Sequence, residues 1–399
     1  MDQDVPTNGT NGLSGVRVIE FSHMIFGPSC GLVLADLGAD VIKVEPPKIG
    51  DRTRRLRGAG AGFFPMFNRN KRSLALDVKT AAGLAVAHRL IDGADVVVEN
   101  FRPGAMDRLG LGYEALRRTN PGLIYCSAKG FLPGPYEHRT ALDEVVQMMS
   151  GLAYMTGPPG RPLRSGASVV DIMGGAFGVI GILAALRERE RTGLGQRVTS
   201  ALFESAAFLC GQHMLQHQMT GVPAKPMPVR DAAWAVYDVF TCHDGAQVFV
   251  GVVSNTQWRN FCQDFQLDDL LADPSLAENP DRCQHRERFI PRLRAIFAGM
   301  TRDELTTRCE ALGLPYAPIG RPEDLDADPH LRESDGLVPV TLDNDKTAMA
   351  PALPLSFDGA RPTRRYDLPK LGEHSDAIAA ELGFSDEEIA ALRRDGVLD

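Results

Sequence analysis

Short runs of aliphatic and β-branched residues alternate, in the first half of the chain, with longer stretches whose apolar residues recur at helical spacing. The short runs predict strands at residues 13–20, 41–45, 95–100, 123–127 and 198–202. The longer stretches predict helices at residues 30–37, 81–93, 113–118, 143–152, 171–191 and 203–219. Strands that alternate with helices are typical of a parallel sheet covered by helices on both faces, so we expect an α/β fold.

The pattern changes after residue 220. Residues 221–231 contain three prolines and alternating charges, which is typical of a linker. Short strands and helices follow, and the last predicted helix begins at Ser385, with Glu388 at capping-box spacing. We therefore expect three segments: the first part of a large domain at 13–220, a smaller α+β domain at 225–325, and a return to the large domain at 330–399.

Composition and charge narrow the class of protein. The chain has 399 residues, of which 44% are hydrophobic and 24% charged, as in ordinary globular proteins. A net charge of -8 disfavours a protein whose main role is to bind nucleic acid. The longest nearly apolar run, Gly174 to Leu186, is too short to span a bilayer, so we expect no membrane segment. The polar residues up to Gly12 predict a disordered tail and no secretory signal.

Cysteine, histidine and glycine patterns exclude several chemistries. The seven cysteines are scattered and include no CxxC pair, which indicates reduced thiols in a cytoplasmic protein and leaves a catalytic thiol open. His213 and His217 lack a nearby acidic ligand, so we expect no metal site. The glycine-rich run 58–62 neither follows a strand nor opens a helix, so it indicates a surface loop rather than a dinucleotide fingerprint. The chain has no P-loop and no GxSxG motif.

Cations gather near the predicted strand ends, where parallel sheets bind their ligands. They are Arg52, Arg54, Arg55, Arg57, Lys71, Arg72, Arg102, Arg108 and Lys129. In an acidic protein this clustering favours an anionic, phosphate-bearing ligand. A solvated charged surface is the alternative interpretation.

Asp171 is the acidic residue with the most unusual surroundings. It stands alone in an apolar run, with Gly166 before it and Gly174-Gly175 after it, at the start of a predicted helix. Burial disfavours its ionised form, whereas a helix N-terminus favours it. A poorly hydrated carboxylate beside free backbone N–H donors suits a covalent acyl-transfer nucleophile, with the N–H groups holding the oxyanion. A simple N-cap aspartate is the alternative.

A series of short motifs, in order from Leu13 to about His374, carries a family resemblance. They occupy residues 13–18, 27–28, 37–45, 68–73, 98–104, 129–131, 166–171, 192–196 and 371–374. The chain resembles the class III CoA-transferases, which include formyl-CoA transferase and carnitine CoA-transferase, with α-methylacyl-CoA racemase as a sister branch. Each motif is weak alone, but their order and number together are specific.

The resemblance implies a fold, a mechanism and a set of binding residues. The fold is a Rossmann-like large domain with a smaller domain, in an interlocked homodimer. Asp171 is the nucleophile, and the reaction passes through an aspartyl anhydride and an aspartyl-CoA thioester. The substrates are an acyl-CoA thioester and a small carboxylic acid, with no metal and no permanently bound cofactor. The residues implied to bind CoA are Asn70, Lys71, Arg72, Asn100, Phe101, Arg108 and Lys129.

Departures from the family pattern favour the transferase branch. The racemases carry a His-Asp pair where this chain has Leu142-Asp143, and proton exchange at an α-carbon requires that histidine. Ile25 stands where the formyl-CoA branch has glutamine, and the run of four glycines before the small domain is missing. Exchange between oxalate and formate is therefore disfavoured. Glu144 matches an acidic residue near the nucleophile, so we expect it to support catalysis.

Spare cations favour a dicarboxylic substrate. We expect a succinyl-CoA-type donor and a small dicarboxylic acceptor acid. Three alternatives stay open: a racemase or isomerase of the same fold, a dinucleotide oxidoreductase and a non-catalytic CoA-binding protein. The candidate substrate-binding residues are Ile25, Arg52, Arg139 and Arg164.

Overall fold

A computed structural model describes residues 12–399, so the tail predicted before Gly12 lies outside the described residues. The described chain forms two compact units. The first comprises residues 12–228 and 329–399, and the second comprises residues 229–328.

A parallel sheet of six strands forms the centre of the first unit, in the order β3-β2-β1-β4-β5-β6. The α/β prediction is therefore confirmed. The chain builds the sheet outward from β1 to β3 and then, on the other side of β1, from β4 to β6, so the direction reverses between β1 and β4. The strands are β1 (Arg17–Phe21), β2 (Asp40–Glu45), β3 (Lys71–Ala75), β4 (Val96–Glu99), β5 (Ile124–Lys129) and β6 (Arg197–Ala201).

Helices cover both faces of this sheet. The first nine are α1 (Phe26–Asp36), α2 (Phe63–Phe67), α3 (Ala81–Asp92), α4 (Ala105–Arg108), α5 (Tyr113–Leu116), α6 (Asp143–Ser150), α7 (Leu152–Thr156), α8 (Val169–Thr192) and α9 (Leu202–Thr220). Strand β4 shows the two layers. Val97 belongs to a buried cluster with Leu90 of α3, whereas Val96 and Val98 belong to another with Val179 of α8. Side chains that alternate along a strand explain why a continuous apolar run packs on both sides.

The second unit combines a small antiparallel sheet with helices. Strand β8 pairs with β7 on one side and β9 on the other. Its apolar core includes Trp258, Phe261 and Phe297. In chain order its elements are β7 (Val236–Thr241), β8 (Gln247–Val252), α10 (Asn255–Asp264), α11 (Asp268–Leu271), α12 (Asn279–Gln284), α13 (Ile290–Phe297), α14 (Arg302–Ala311) and β9 (Tyr316–Pro318).

The C-terminal segment returns to the first unit and protects one edge of its sheet. The backbone N–H groups of Ser73 and Ala75 in β3 donate to His374 Nδ1 (3.2 Å) and Ser375 Oγ (3.1 Å). An edge strand with unpaired N–H groups would otherwise be open to another chain. The elements of this segment are α15 (Pro329–Glu333), β10 (Leu337–Thr341), β11 (Thr347–Pro351), α16 (Ser375–Glu381) and α17 (Asp386–Arg394).

Glycines let α8 approach α1 unusually closely. A Cβ atom on Gly174 would lie 2.7 Å from the ring of Phe26, and one on Gly175 would overlap the hydroxyl of Ser29. A side chain at either position would push the helices apart. Because both residues are glycines, the first turn of α1 can lie against the start of α8. Ser29 Oγ, on α1, lies 3.4 Å from the backbone oxygen of Asp171, on α8.

Helix α8 also corrects the expectation about its length. It has 24 residues, and among the described residues it is the one helix long and apolar enough to cross a membrane. It begins at Val169, five residues before the apolar run considered above. Helices in protein cores can have the same length and apolar composition, and α8 packs its glycines against α1.

Candidate active site

The β1 and β4 strand ends, where the sheet reverses direction, are tied to each other by His23 and Asn100. The backbone N–H of His23 donates to Asn100 Oδ1 (3.0 Å), and Asn100 Nδ2 donates to the backbone oxygen of His23 (2.7 Å). The ring of Phe101 packs against the His23 ring, with centroids 5.4 Å apart. Ligands of doubly wound sheets bind at such a reversal, so the predicted CoA contacts Asn100 and Phe101 lie where a ligand is expected.

No sequence motif marks His23 as a functional residue. Its Nδ1 atom is buried and has no hydrogen-bond partner within the described residues. Burial lowers the pKa of His23, partly opposed by the charge of Asp51, which favours the neutral ring. Its position two residues after the end of β1 is the one signal that identifies it from sequence.

The ammonium group of Lys129, at the end of β5, is bound to other residues of the protein. This group lies 2.6 Å from Glu99 Oε1 and donates to the backbone oxygen of Phe101 (2.8 Å). The same lysine thus neutralises a buried carboxylate and positions the β4 strand end. Any contact with CoA would be shared with these two partners.

Four exposed cations near the strand ends, Arg52, Arg57, Arg102 and Arg108, are free to bind an anion. Arg108, at the end of α4, and Arg52, in a short 3₁₀ turn after β2, are exposed. No side chain of these four arginines forms a hydrogen bond or an ion pair with any residue of the described part of the chain. The positive charge of Arg52 also lowers the pKa of His23, although burial and the charge of Lys43 lower it more.

Asn70, Lys71 and Arg72 do not face a ligand. All three are buried, and their polar groups are bound within the fold. Lys71 Nζ lies 2.7 Å from a carboxylate oxygen, and Asn70 Nδ2 donates to another at 2.7 Å. We therefore withdraw these three residues from the candidate CoA site. Their carboxylate partners are Glu20, Asp36, Asp40 and Glu381.

Asp171 lies in the first turn of α8, two residues later in the helix than the sequence suggested. Its side chain is half-buried and forms no hydrogen bond within residues 12–399. Burial raises the pKa of Asp171 to about 7, the nearby charge of Asp143 adds to the rise, and Arg164 opposes it. Once ionised, this carboxylate is poorly hydrated and unpaired, as a nucleophile requires.

Asp143, the first residue of α6, organises the start of α8. Its Oδ2 atom accepts the backbone N–H groups of Val170 (2.9 Å) and Asp171 (3.3 Å). Its Oδ1 atom accepts from Gln147 Nε2 (2.6 Å) and lies 3.3 Å from Arg164. These two N–H groups are therefore not available for an oxyanion, contrary to the expectation of free donors at this helix start.

The acidic residue beside the nucleophile is Asp143 and not Glu144. The side chain of Glu144 is exposed and forms no hydrogen bond or ion pair with the described residues. Consecutive helical residues point in different directions, so only one of the two can face α8. The signal that identifies Asp143 was present in the sequence, because it occupies the Asp position of the racemase His-Asp pair.

The remaining predicted substrate residues are dispersed. Ile25 is buried in an apolar cluster with Leu32 and Phe67, so its side chain does not reach a ligand. Arg164 is paired with Asp143. Arg139 is exposed, with its guanidinium 5.0 Å from the Tyr136 ring.

The sequence of the chain matches a known protein family over most of its length. CoA-transferase family III matches residues 13–375. The chain belongs to this family. The predicted family and the prediction of a CoA-transferase enzyme are confirmed. As a separate observation, residues 12–399 contain no group of three or more His, Cys, Asp or Glu side chains that could hold a metal ion.

The CoA-transferase is similar to other CoA-transferases along almost its whole length. It is 35% identical to a succinate–glutarate CoA-transferase from Agrobacterium fabrum, over 95% of this chain and 97% of that protein. It is 33% identical to a formyl-CoA:oxalate CoA-transferase from Escherichia coli O157:H7, over 96% and 98% respectively. A crystal structure of a CaiB/BaiF family protein from Brucella suis, 34% identical, superposes with a TM-score of 0.82 over 94% of this chain and all of that one.

Removing the charge of Asp143 should lower the pKa of Asp171. Asparagine at position 143 keeps an oxygen that accepts the two N–H groups but loses the negative charge. In the native enzyme kcat/KM for acyl-CoA should fall as the pH drops through about 7, because Asp171 must be ionised to attack. In Asp143→Asn this acid limb should move to lower pH, which a pH–rate profile measures.

Glu144→Gln is the matched control, since it removes the adjacent carboxylate. Its acid limb should coincide with that of the native enzyme. An unmoved limb in Asp143→Asn, together with a moved one in Glu144→Gln, would contradict the assignment of Asp143.

Proposed function

We propose that this CoA-transferase moves CoA from a succinyl-CoA-type donor to a small dicarboxylic acid, with Asp171 as the covalent nucleophile. The observation that carries the proposal is the half-buried, unpaired carboxylate of Asp171, with a pKa near 7, beside the start of α1. The name of the Agrobacterium relative supports the choice of substrates, because it specifies succinate and glutarate.

The first half-reaction loads CoA onto the enzyme. A carboxylate oxygen of Asp171 attacks the thioester carbonyl of the donor, the C–S bond breaks, and an aspartyl anhydride and CoA thiolate form. The thiolate then attacks the aspartyl carbonyl carbon. The donor acid leaves as its carboxylate, and an aspartyl-CoA thioester remains.

The second half-reaction reverses these steps with the acceptor. The acceptor carboxylate attacks the aspartyl thioester, which gives a second anhydride and CoA thiolate. The thiolate attacks the acceptor carbonyl, releasing the acceptor's CoA thioester and the free carboxylate of Asp171. No proton is transferred in the net reaction, so a general acid or base is not required.

CoA is placed along the strand ends by this proposal. Arg108, a cation without a partner in the described chain, is assigned to its phosphates, and Asn100 and Phe101 are assigned to contact it at the sheet reversal. Gly27, in the first turn of α1, lies close to this reversal, since a Cβ there would lie 3.3 Å from Asn100 Cγ. The thioester end can then follow the start of α1 toward Asp171.

The second carboxylate of the acids is assigned to Arg52. It is exposed and unpaired, and its charge reaches the ring of His23. Arg164 is less suited, because Asp143 already pairs with it. Racemase activity is disfavoured because Leu142, which has no ionisable group, occupies the position where that activity requires histidine.

Two copies of the chain form the enzyme in this proposal, interlocked as the family resemblance implies. Helices α8 and α9 expose large apolar side chains that a single chain leaves in water. They are Ile172, Ile180, Leu183, Phe208, Met214, Leu215 and Met219, of which Met219 is 85% exposed.

Interlocked chains should not exchange while folded. Two preparations with different affinity tags, once mixed, should yield no mixed dimers until the protein is unfolded and refolded, because separation requires threading one chain out of the other. Native mass spectrometry measures the mixed species. A monomer, or rapid exchange under native conditions, would exclude this arrangement.

Trapping with hydroxylamine tests the covalent role of Asp171. Incubation with succinyl-CoA should acylate this side chain, and hydroxylamine should convert it to a hydroxamate that peptide mass spectrometry locates. Asp171→Asn should show no label and no transfer, with unchanged folding by circular dichroism. Absence of label at Asp171 with every member of an acyl-CoA panel would contradict the mechanism.

Arg52→Gln should distinguish dicarboxylic from monocarboxylic acceptors. Loss of a charge-assisted contact should raise KM for a dicarboxylate about tenfold or more, while a monocarboxylate of the same length is unaffected. Arg57→Gln, which removes another exposed cation from the same loop, is the control. Native activity with monocarboxylates alone would contradict the dicarboxylate assignment.

A further inference from the structure

Three charged side chains of the central sheet are completely buried beneath the β1–α1 connection. Glu20 of β1 lies between Lys43 of β2 and Lys71 of β3, with Oε1 3.0 Å from one ammonium and Oε2 2.7 Å from the other. Burial would raise the pKa of Glu20, but the two lysines outweigh it and lower the pKa, so the carboxylate stays ionised. Apolar residues can fill such a site with equal stability, so the charges call for a structural reason.

Each ammonium also holds one end of residues 22–28, which comprise the connection after β1 and the first residues of α1. Lys43 Nζ donates to the backbone oxygen of Ser22 (2.9 Å), and Lys71 Nζ donates to that of Pro28 (2.9 Å). Between these two residues, Met24 has a backbone φ of 67°, a conformation that residues other than glycine rarely adopt. The segment is thus bent sharply and restrained at both ends by one buried carboxylate and its two lysines.

The two ends of this segment belong to different parts of the site. Ser22 precedes His23, whose backbone is bonded to Asn100 at the sheet reversal. Pro28 precedes Ser29, whose hydroxyl lies 3.4 Å from the backbone oxygen of Asp171. One end therefore sets the proposed CoA contacts, and the other sets the packing of α1 against the start of the nucleophile's helix.

We infer that Glu20, Lys43 and Lys71 are positioning residues: Lys43 holds the CoA-binding end of the 22–28 segment, and Lys71 holds the end beside Asp171. The inference rests on the proposed roles of Asn100 and Asp171. It goes beyond them, because none of the three side chains touches a substrate and because it assigns the two lysines separable effects.

Methionine replaces each lysine with a side chain of similar length and no charge. Lys43→Met should weaken the binding of CoA itself, measured by calorimetry, by about tenfold. Lys71→Met should leave CoA affinity within about twofold of native but slow the acylation of Asp171 by acyl-CoA about tenfold or more. A role confined to stability would lower the melting temperature without dividing the two effects in this way.

Arg69→Met is the matched control. Arg69 is a buried cation two residues before Lys71, but its partner is Asp36 at the other end of α1 (2.6 Å). This variant should lose thermal stability and keep both CoA affinity and acylation rate. Effects on either quantity equal to those of the lysine variants would overturn the inference.

A charge-balanced variant guards against a failure to fold. Glu20→Gln combined with Lys71→Met removes one positive and one negative charge, and leaves Lys43 paired with Asp51 (3.1 Å). It should behave as Lys71→Met does. Equal losses of affinity and rate in both lysine variants, or no loss in either, would overturn the inference. Failure of the proposed function looks different: there the native enzyme itself shows no label at Asp171, while CoA binding still reports on Lys43.

Discussion

The close contact between the first turns of α1 and α8 is the constraint on which the proposed site depends. Helix α1 begins where the sheet reverses direction, and α8 carries Asp171 in its first turn. The two helices come together because Gly174 and Gly175 present no side chain to Phe26 and Ser29. A ligand bound at the strand ends therefore has a carboxylate beside the helix that leads away from them.

The electrostatics of Asp171 follow from this packing. Its carboxylate is half-buried and has no hydrogen-bond partner within the described residues. Burial and the neighbouring negative charge of Asp143 both disfavour the ionised form, so they raise the pKa of Asp171 to about 7. Asp143 itself is compensated by two backbone N–H groups, Gln147 and Arg164. One carboxylate is thus satisfied and structural, while the other retains unused hydrogen-bonding capacity for a reaction.

Local pattern predicted much of the fold and of the candidate site, whereas long-range pairing was not visible in it. The β4 and β5 strands were predicted within two residues at each end, because their apolar runs are buried on both faces. Strand β3 was missed, since Lys71 and Arg72 look like surface cations until their carboxylate partners are placed beside them. The same cause explains their mistaken assignment to the CoA site.

The nucleophile candidate and its neighbour show the same limit. Asp171 stood out as a lone acid in an apolar, glycine-flanked run, but only the family resemblance favoured a nucleophile over a simple N-cap aspartate. Its helix N–H groups appeared free, because the carboxylate that accepts them lies 28 residues earlier in the chain. The choice of Glu144 over Asp143 depended on which of two adjacent helical residues faces α8. Spacing alone does not contain that information, although the match of Asp143 to the racemase His-Asp pair pointed to it.

Oxygen-isotope transfer tests the central claim, that CoA passes through a covalent bond to Asp171. In the proposed reaction the bridging oxygen of the second anhydride comes from the acceptor acid and leaves with Asp171. With an acceptor whose carboxylate is labelled with ¹⁸O, peptide mass spectrometry after a single turnover should find one ¹⁸O atom in the side chain of Asp171, and repeated turnover should add a second. Turnover that leaves Asp171 unlabelled would contradict the account, because CoA would then move between the acids without this residue.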